Sequence, residues 1–188
     1  MRVYHMSQTL KNGDELQADY KGNTKKCEDF LRALEQGEEA LYSMIVSQNM
    51  EEEQWRDYVK WCVEGIFEFV RRKEFPKVPC RLKCNYFFDE LENFKTLYEA
   101  GWAQESEEER AKLRLYEVEL DDECAAKLDM LAFDEAYDVM YATKNIQAVM
   151  NCAERYFSGL GTSEPIWEIM SDKRARAVKD ITDYLQIT

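Results

Sequence analysis

Apolar and polar residues alternate over Arg2-Val3-Tyr4-His5-Met6-Ser7, and a period of two puts Val3, His5 and Ser7 on one face of an N-terminal strand. From Gln8 to Gly22 the chain is polar, with turn signals at Asn12-Gly13-Asp14 and Gly22-Asn23, which predicts a long loop. The spacing then changes to three and four. Thr24 opens a helix carrying Cys27, Phe30, Leu31 and Leu34; Gly37 separates it from a second carrying Leu41, Met44 and Ile45. A third helix is predicted from Glu51 to Lys73, with Trp55, Tyr58, Val59, Cys62, Ile66, Phe69 and Val70 as its apolar stripe.

Pro76 and Pro79 stop that helix, and Arg81 to Phe88 reads as a strand. Asp89 to Tyr98 follows as a helix whose leading acids suit its N-terminus and whose Leu91, Phe94, Leu97 and Tyr98 share a face. Acid-rich Gln104 to Glu109 leads into an alternating strand, Leu113 to Leu120. Phe133 to Tyr156 reads as one or two helices, Gly159 to Pro165 as loop. Ile166 to Met170 and Ala175 to Ile181 read as closing strands around an Asp172-Lys173 turn. The order describes a single α+β domain over residues 1–188, with a helical segment at about 24–75 inserted after the first strand.

Composition narrows the function classes. The chain has 188 residues, 45% of them hydrophobic and 13% aromatic, enough for a sizeable core. Its 38 acids against 25 bases leave a net charge of -13, which repels polyanions at long range and argues against wholesale coating of nucleic acid. No apolar run reaches the length of a membrane span and no signal segment opens the chain, so a cytoplasmic protein without a membrane partner is expected. The six cysteines, several on apolar helical faces, fit buried free thiols. His5 is the only histidine and no Cys-x-x-Cys pair occurs, so no metal site is expected.

The chemistry gathers at His5 with Ser7 on the first strand, Tyr86 with Tyr98 around a strand-to-helix junction, and Glu168 inside an apolar strand. Glu168 shares a strand face with Ile166 and Met170, so a core-facing strand would half-bury its carboxylate. Taken together in this order, Tyr4-His5-Met6-Ser7, Asn85-Tyr86-Phe87-Phe88, Tyr98 and Pro165-Ile166-Trp167-Glu168-Ile169-Met170 resemble the three motifs of the ADP-ribosyltransferase superfamily, in its His-Tyr-Glu branch. That branch contains diphtheria toxin and the poly(ADP-ribose) polymerases, and the sequence looks most like small bacterial domains of the same fold. Met6 stands where the family commonly has glycine, a substitution that keeps the backbone amide available.

The resemblance implies a split β-sheet core and an enzyme that transfers ADP-ribose from NAD+ to a macromolecule, releasing nicotinamide. It implies that Glu168 stabilises the ribose cation, that Tyr86 and Tyr98 sandwich the nicotinamide, that His5 holds the adenosine-side ribose, and that Ser7 assists near the nicotinamide. Arginine-modifying members carry an acid or glutamine two residues before the glutamate; Ile166 stands there, which disfavours arginine as acceptor. Protein, RNA or DNA remain acceptors, mono-transfer suits the chain length, and an intracellular toxin or phage-defence effector with a neutralising partner suits the resemblance. Basic residues at 71–83 and 173–179 flank the motifs, and Arg81 is the nominated contact to the NAD+ phosphates. Two alternatives stand beside this reading: a non-catalytic interaction module of the same fold, and an NAD-dependent RNA 2′-phosphotransferase.

Overall fold

The long helix predicted after Glu51 is the axis of the helical part of the chain. A computed structural model describes residues 1–18, 24–47, 50–102 and 105–186. In chain order they form β1 (Arg2–Ser7), β2 (Glu15–Leu16), α1 (Thr24–Glu35), α2 (Glu38–Ser47), α3 (Glu52–Glu74) and a 3-10 turn at Arg81–Lys83. Next come β3 (Asn85–Phe87), α4 (Leu91–Ala100), α5 (Glu107–Lys112), β4 (Arg114–Leu120), β5 (Ala126–Asp129), α6 (Met130–Thr143) and α7 (Ile146–Phe157). β6 (Trp167–Ser171), β7 (Ala175–Asp180) and a 3-10 turn at Thr182–Gln186 close the chain. The architecture is mixed α+β with antiparallel strand pairs. The chain groups into a helical unit, Tyr20–Lys83 with Leu128–Pro165, and a strand-rich unit, Met1–Asp19 with Cys84–Lys127 and Ile166–Thr188.

In the helical unit α3 is buried nearly all round its middle, from Cys62 to Glu68, because α1 packs on one side and α6 with α7 on the other. A helix with no solvent face is the centre of a bundle, not its cover. Phe67 stands edge-on to Phe133 at 5.0 Å and to Tyr156 at 5.4 Å, geometry that aromatic quadrupoles favour. Gly65 is what lets α1 come close. A β-carbon placed there would lie 3.0 Å from the Cys27 carbonyl oxygen and 3.2 Å from the Leu31 nitrogen, and backbone cannot yield as a side chain does. Gly65→Ala is therefore expected to lower unfolding free energy by about 1–3 kcal/mol, read from urea melts; an unchanged midpoint would show that the helices separate freely. Burial, then the nearby acids Glu64 and Glu68, pushes the Cys27 thiol up, and burial pushes Cys62 up, so both are neutral core residues.

The strand-rich unit carries two sheets. One has the order β1-β4-β7-β2, the other β3-β6-β5. Val3, Val118, Leu120 and Ala177 from the first sheet bury against Phe87 and Ile169 from the second, so the two sheets share one core. β1 joins them. It pairs with β4 along its length, and at Tyr4 it makes a single bridge to Phe88, with Tyr4 N donating to Phe88 O at 2.8 Å and Phe88 N to Tyr4 O at 2.9 Å.

Several elements differ from the sequence pattern. The strand expected over 81–88 is reduced to Asn85–Phe87, because Arg81–Lys83 winds into a 3-10 turn that buries Arg81 and Leu82. β2 and β5 were not predicted; two and four residues are too few to register as a period. The acid-rich stretch before β4 contains α5, capped by Ser106. The 133–156 segment is two helices, broken at Lys144 in the left-handed region (φ 54°) and restarted by Asn145, whose side chain accepts from Ala148 N at 3.0 Å. Of the two turns expected in the N-terminal loop, the one at Asn12-Gly13-Asp14 is present, with Asp14 N donating to Lys11 O at 3.1 Å. The one at Gly22-Asn23 lies outside the described residues, as does Gln104.

Candidate active site

Antiparallel register decides which nominated side chains share a face. Tyr86 on β3 is the cross-strand partner of Met170 on β6, and opposed residues point the same way. Glu168 is two residues from Met170, so the Tyr86 and Glu168 side chains leave the same face of this sheet. Phe88, also two residues from Tyr86, belongs to that face and meets Phe94 of α4 edge-on at 5.8 Å. Tyr98, one turn further along α4, lies 6.0 Å from Phe94. Helix α4 therefore covers the face that bears Tyr86 and Glu168, and Tyr98 stands over the same side. Glu168 is only 8% exposed, between buried Ile166 and Ile169. A carboxylate so placed has lost most of its water and depends on the groups around it.

His5 approaches from the other side. Its ring lies 5.5 Å from Phe87, which faces the shared core, and its Nδ1 is 2.8 Å from the Tyr86 carbonyl oxygen. A carbonyl oxygen only accepts, so Nδ1 carries the proton. The imidazole is thus tied to the backbone of the strand whose Tyr86 side chain leaves by the opposite face. Ser7 is occupied locally: its Oγ accepts from Thr9 N at 3.2 Å and Leu10 N at 3.1 Å, closing the turn after β1, and its hydroxyl hydrogen is the donor that remains.

Arg81 is corrected. Expected at a phosphate, it is a core residue of the helical unit: Nε and Nη2 donate to the two carboxylate oxygens of Glu64 at 3.1 and 3.2 Å, and Nη1 donates to the Tyr156 hydroxyl. Its guanidinium also lies over the Phe133 ring at 4.2 Å. Two parallel bonds to one carboxylate, with both side chains under 10% exposed, use the fork that a phosphate would have needed. Four of the other flanking bases are paired too. Glu68 takes Arg71 and Arg72, Glu15 takes Arg174, and Asp172 takes Lys173. Burial opposes ionisation of Glu68, but its two arginines outweigh that and hold its carboxyl below the ordinary value.

Other cations were missed by sequence reasoning. Tyr98 lines a cavity of about 440 Å³ with Glu107, Arg110, Ala111, Leu113, Arg114 and Thr182. Arg114 opens β4 and is the register partner of Ser7. Strand register, not local pattern, makes these neighbours, and no signal in the sequence pairs residue 7 with residue 114. Among the described residues, no three of His, Cys, Asp or Glu gather as ligands for a metal ion, and no helix is long and apolar enough to cross a membrane.

Comparison with known proteins gives one family. Its description is protein of unknown function (DUF2441), and it matches residues 3–183. The chain belongs to the DUF2441 family. No curated protein matches the chain. The matched span of this DUF2441 protein takes in His5, Tyr86, Tyr98 and Glu168 together with both units, so the strands that carry them belong to one family-wide stretch of chain.

Proposed function

We propose that this DUF2441 protein is an NAD+-dependent mono-ADP-ribosyltransferase with an ADP-ribosyltransferase-like split-sheet core. The observation that carries the reading is the buried Glu168 carboxylate on the same sheet face as Tyr86, on a strand pair whose Tyr86 carbonyl accepts from the His5 imidazole. In the reaction the C–N bond between ribose and nicotinamide breaks and nicotinamide leaves with the bonding pair. The ribose becomes cation-like, the acceptor's nucleophile bonds to its anomeric carbon, and the acceptor's proton passes to solvent. Glu168 stabilises the cation, an interaction strongest in the transition state and strengthened by exclusion of water. Tyr86 and Tyr98 give aromatic faces to the cationic ring before it leaves. His5 contacts a ribose hydroxyl of the adenosine side, with its orientation set by the Tyr86 carbonyl.

The acceptor is a macromolecule, nucleic acid or protein, and the setting is cytoplasmic. Incubating the protein with NAD+ labelled in its adenylate half and a cell lysate is expected to yield labelled macromolecule sensitive to either nuclease or protease, with stoichiometric release of nicotinamide. Absence of nicotinamide release would leave a non-catalytic interaction module instead, one that keeps the pocket if NAD+ binds by calorimetry and one that has only a partner surface if it does not.

A further inference from the structure

Two solvent-facing apolar side chains share one hollow of the helical unit. Among the described residues the exposed large hydrophobics are Met1, Tyr42, Val46 and Leu160; Tyr42 and Val46, one turn apart on α2 and each 52% exposed, line the same cavity of about 660 Å³. Ile45 and Trp55, both buried, line it as well, and Met50 adds to the apolar wall. The hollow is already framed: Trp55 Nε1 donates to Tyr141 O at 3.4 Å, and the Tyr141 hydroxyl donates to Glu52 Oε1 at 2.9 Å. A contiguous apolar surface of this kind, bordered by polar groups, marks a place where another surface is buried.

The rim decides the occupant. Glu52 lines this cavity, and Glu38 and Glu39 line an adjoining one of about 440 Å³ that shares Tyr42 and Lys144 with it. Glu51 and Glu53, both exposed, flank Glu52 at the start of α3. Against these acids stand Arg56, hydrogen-bonded to Tyr141, and Lys144, whose ammonium lies over the Trp55 ring at 5.4 Å. The surplus is negative, like the net charge of -13 on the whole chain. A second copy brings the same acids and is repelled, whereas a cationic partner is drawn in. The apolar face of a helix repeats its anchors at the one-turn spacing of Tyr42 and Val46, so a helix with basic flanks matches both the stripe and its border.

We propose that this groove docks a basic amphipathic helix of a partner protein, its apolar anchors packing on Tyr42, Val46 and Trp55 and its lysines or arginines facing Glu38, Glu39 and Glu52. The site stands whether or not the protein releases nicotinamide. The test is calorimetric titration with three synthetic peptides: a helical one with leucines on one face and lysines on the other, its counterpart with glutamate for every lysine, and the lysine peptide in scrambled order. Each is titrated into the full chain and into three variants, Tyr42→Ala with Val46→Ala, Glu38→Gln with Glu39→Gln, and Leu160→Ala, after melting curves confirm that all are folded. Leu160 is 67% exposed but lines neither hollow, so its variant reports indiscriminate apolar contact. The ordered lysine peptide is expected to bind the wild type and to lose about tenfold or more in affinity in the Tyr42 and Val46 variant. In the glutamine variant the loss is about threefold or more, largest at low salt, and in Leu160→Ala there is none. Unchanged affinity in either groove variant, an equal loss in Leu160→Ala, equal binding of the glutamate or scrambled peptide, or no binding by the wild type overturns the proposal. Sedimentation of the wild type as a dimer that becomes a monomer on Tyr42→Ala with Val46→Ala gives the groove to a second copy and overturns it too.

Discussion

Arg81→Met is expected to destabilise the protein by about 3–5 kcal/mol, a large part of the margin by which a domain is folded. The loss comes from what is left behind. Glu64 remains buried in the helical unit with its two oxygens stripped of the guanidinium fork, and the Tyr156 hydroxyl loses its donor as well. An uncompensated buried carboxylate is far costlier than a missing ion pair, so the double variant Glu64→Leu with Arg81→Met is expected to recover most of the loss. Urea unfolding followed by circular dichroism of the wild type and both variants measures this. Added salt should change the difference little, because solvent ions do not reach the pair. A single variant as stable as wild type but unable to bind NAD+ would return Arg81 to the phosphate role first expected of it. The present geometry argues for the opposite result, since both guanidinium edges are already committed inside the bundle.

Glu168→Gln is expected to lower nicotinamide release by about 10²–10⁴-fold while leaving the fold and NAD+ affinity nearly unchanged. Glutamine has the same shape and fills the same buried space on β6, so packing against Ile169 and the rest of the strand is preserved. Under the proposed transferase reading, what disappears is the negative charge that would act on the ribose only as its cation develops. The effect therefore falls on turnover and not on binding. Single-turnover release of labelled nicotinamide, alongside calorimetric NAD+ binding, separates the two. Turnover within about threefold of wild type would remove Glu168 from the reacting centre, and a parallel loss of melting temperature would mark it as a structural carboxylate.

How far the chain was legible depended on the range over which each signal acts. The helices at 24–74 were readable because their apolar spacing repeats over several turns, and the strand at Arg114–Leu120 because seven residues are enough to show a period of two. Strands of two and four residues left no such trace. Tyr86 and Glu168 could be nominated from residue type and order, yet that they share a sheet face follows only from the Tyr86–Met170 register. The same holds for Ser7 and Arg114, which are neighbours only because β1 and β4 pair. Arg81 shows the limit most clearly. A basic residue just before a motif reads locally as an anion contact, and nothing within several residues reveals that Glu64, seventeen positions earlier on α3, already holds it.

By itself the sequence determined the long helices, the longer strands, an α+β composition and the identity of the groups able to do chemistry. Periodicity and side-chain type are local properties and survive without the fold. Tertiary structure alone decided which charges are spent in the core and which residues meet across strands, because burial and register are set by segments far apart in the chain.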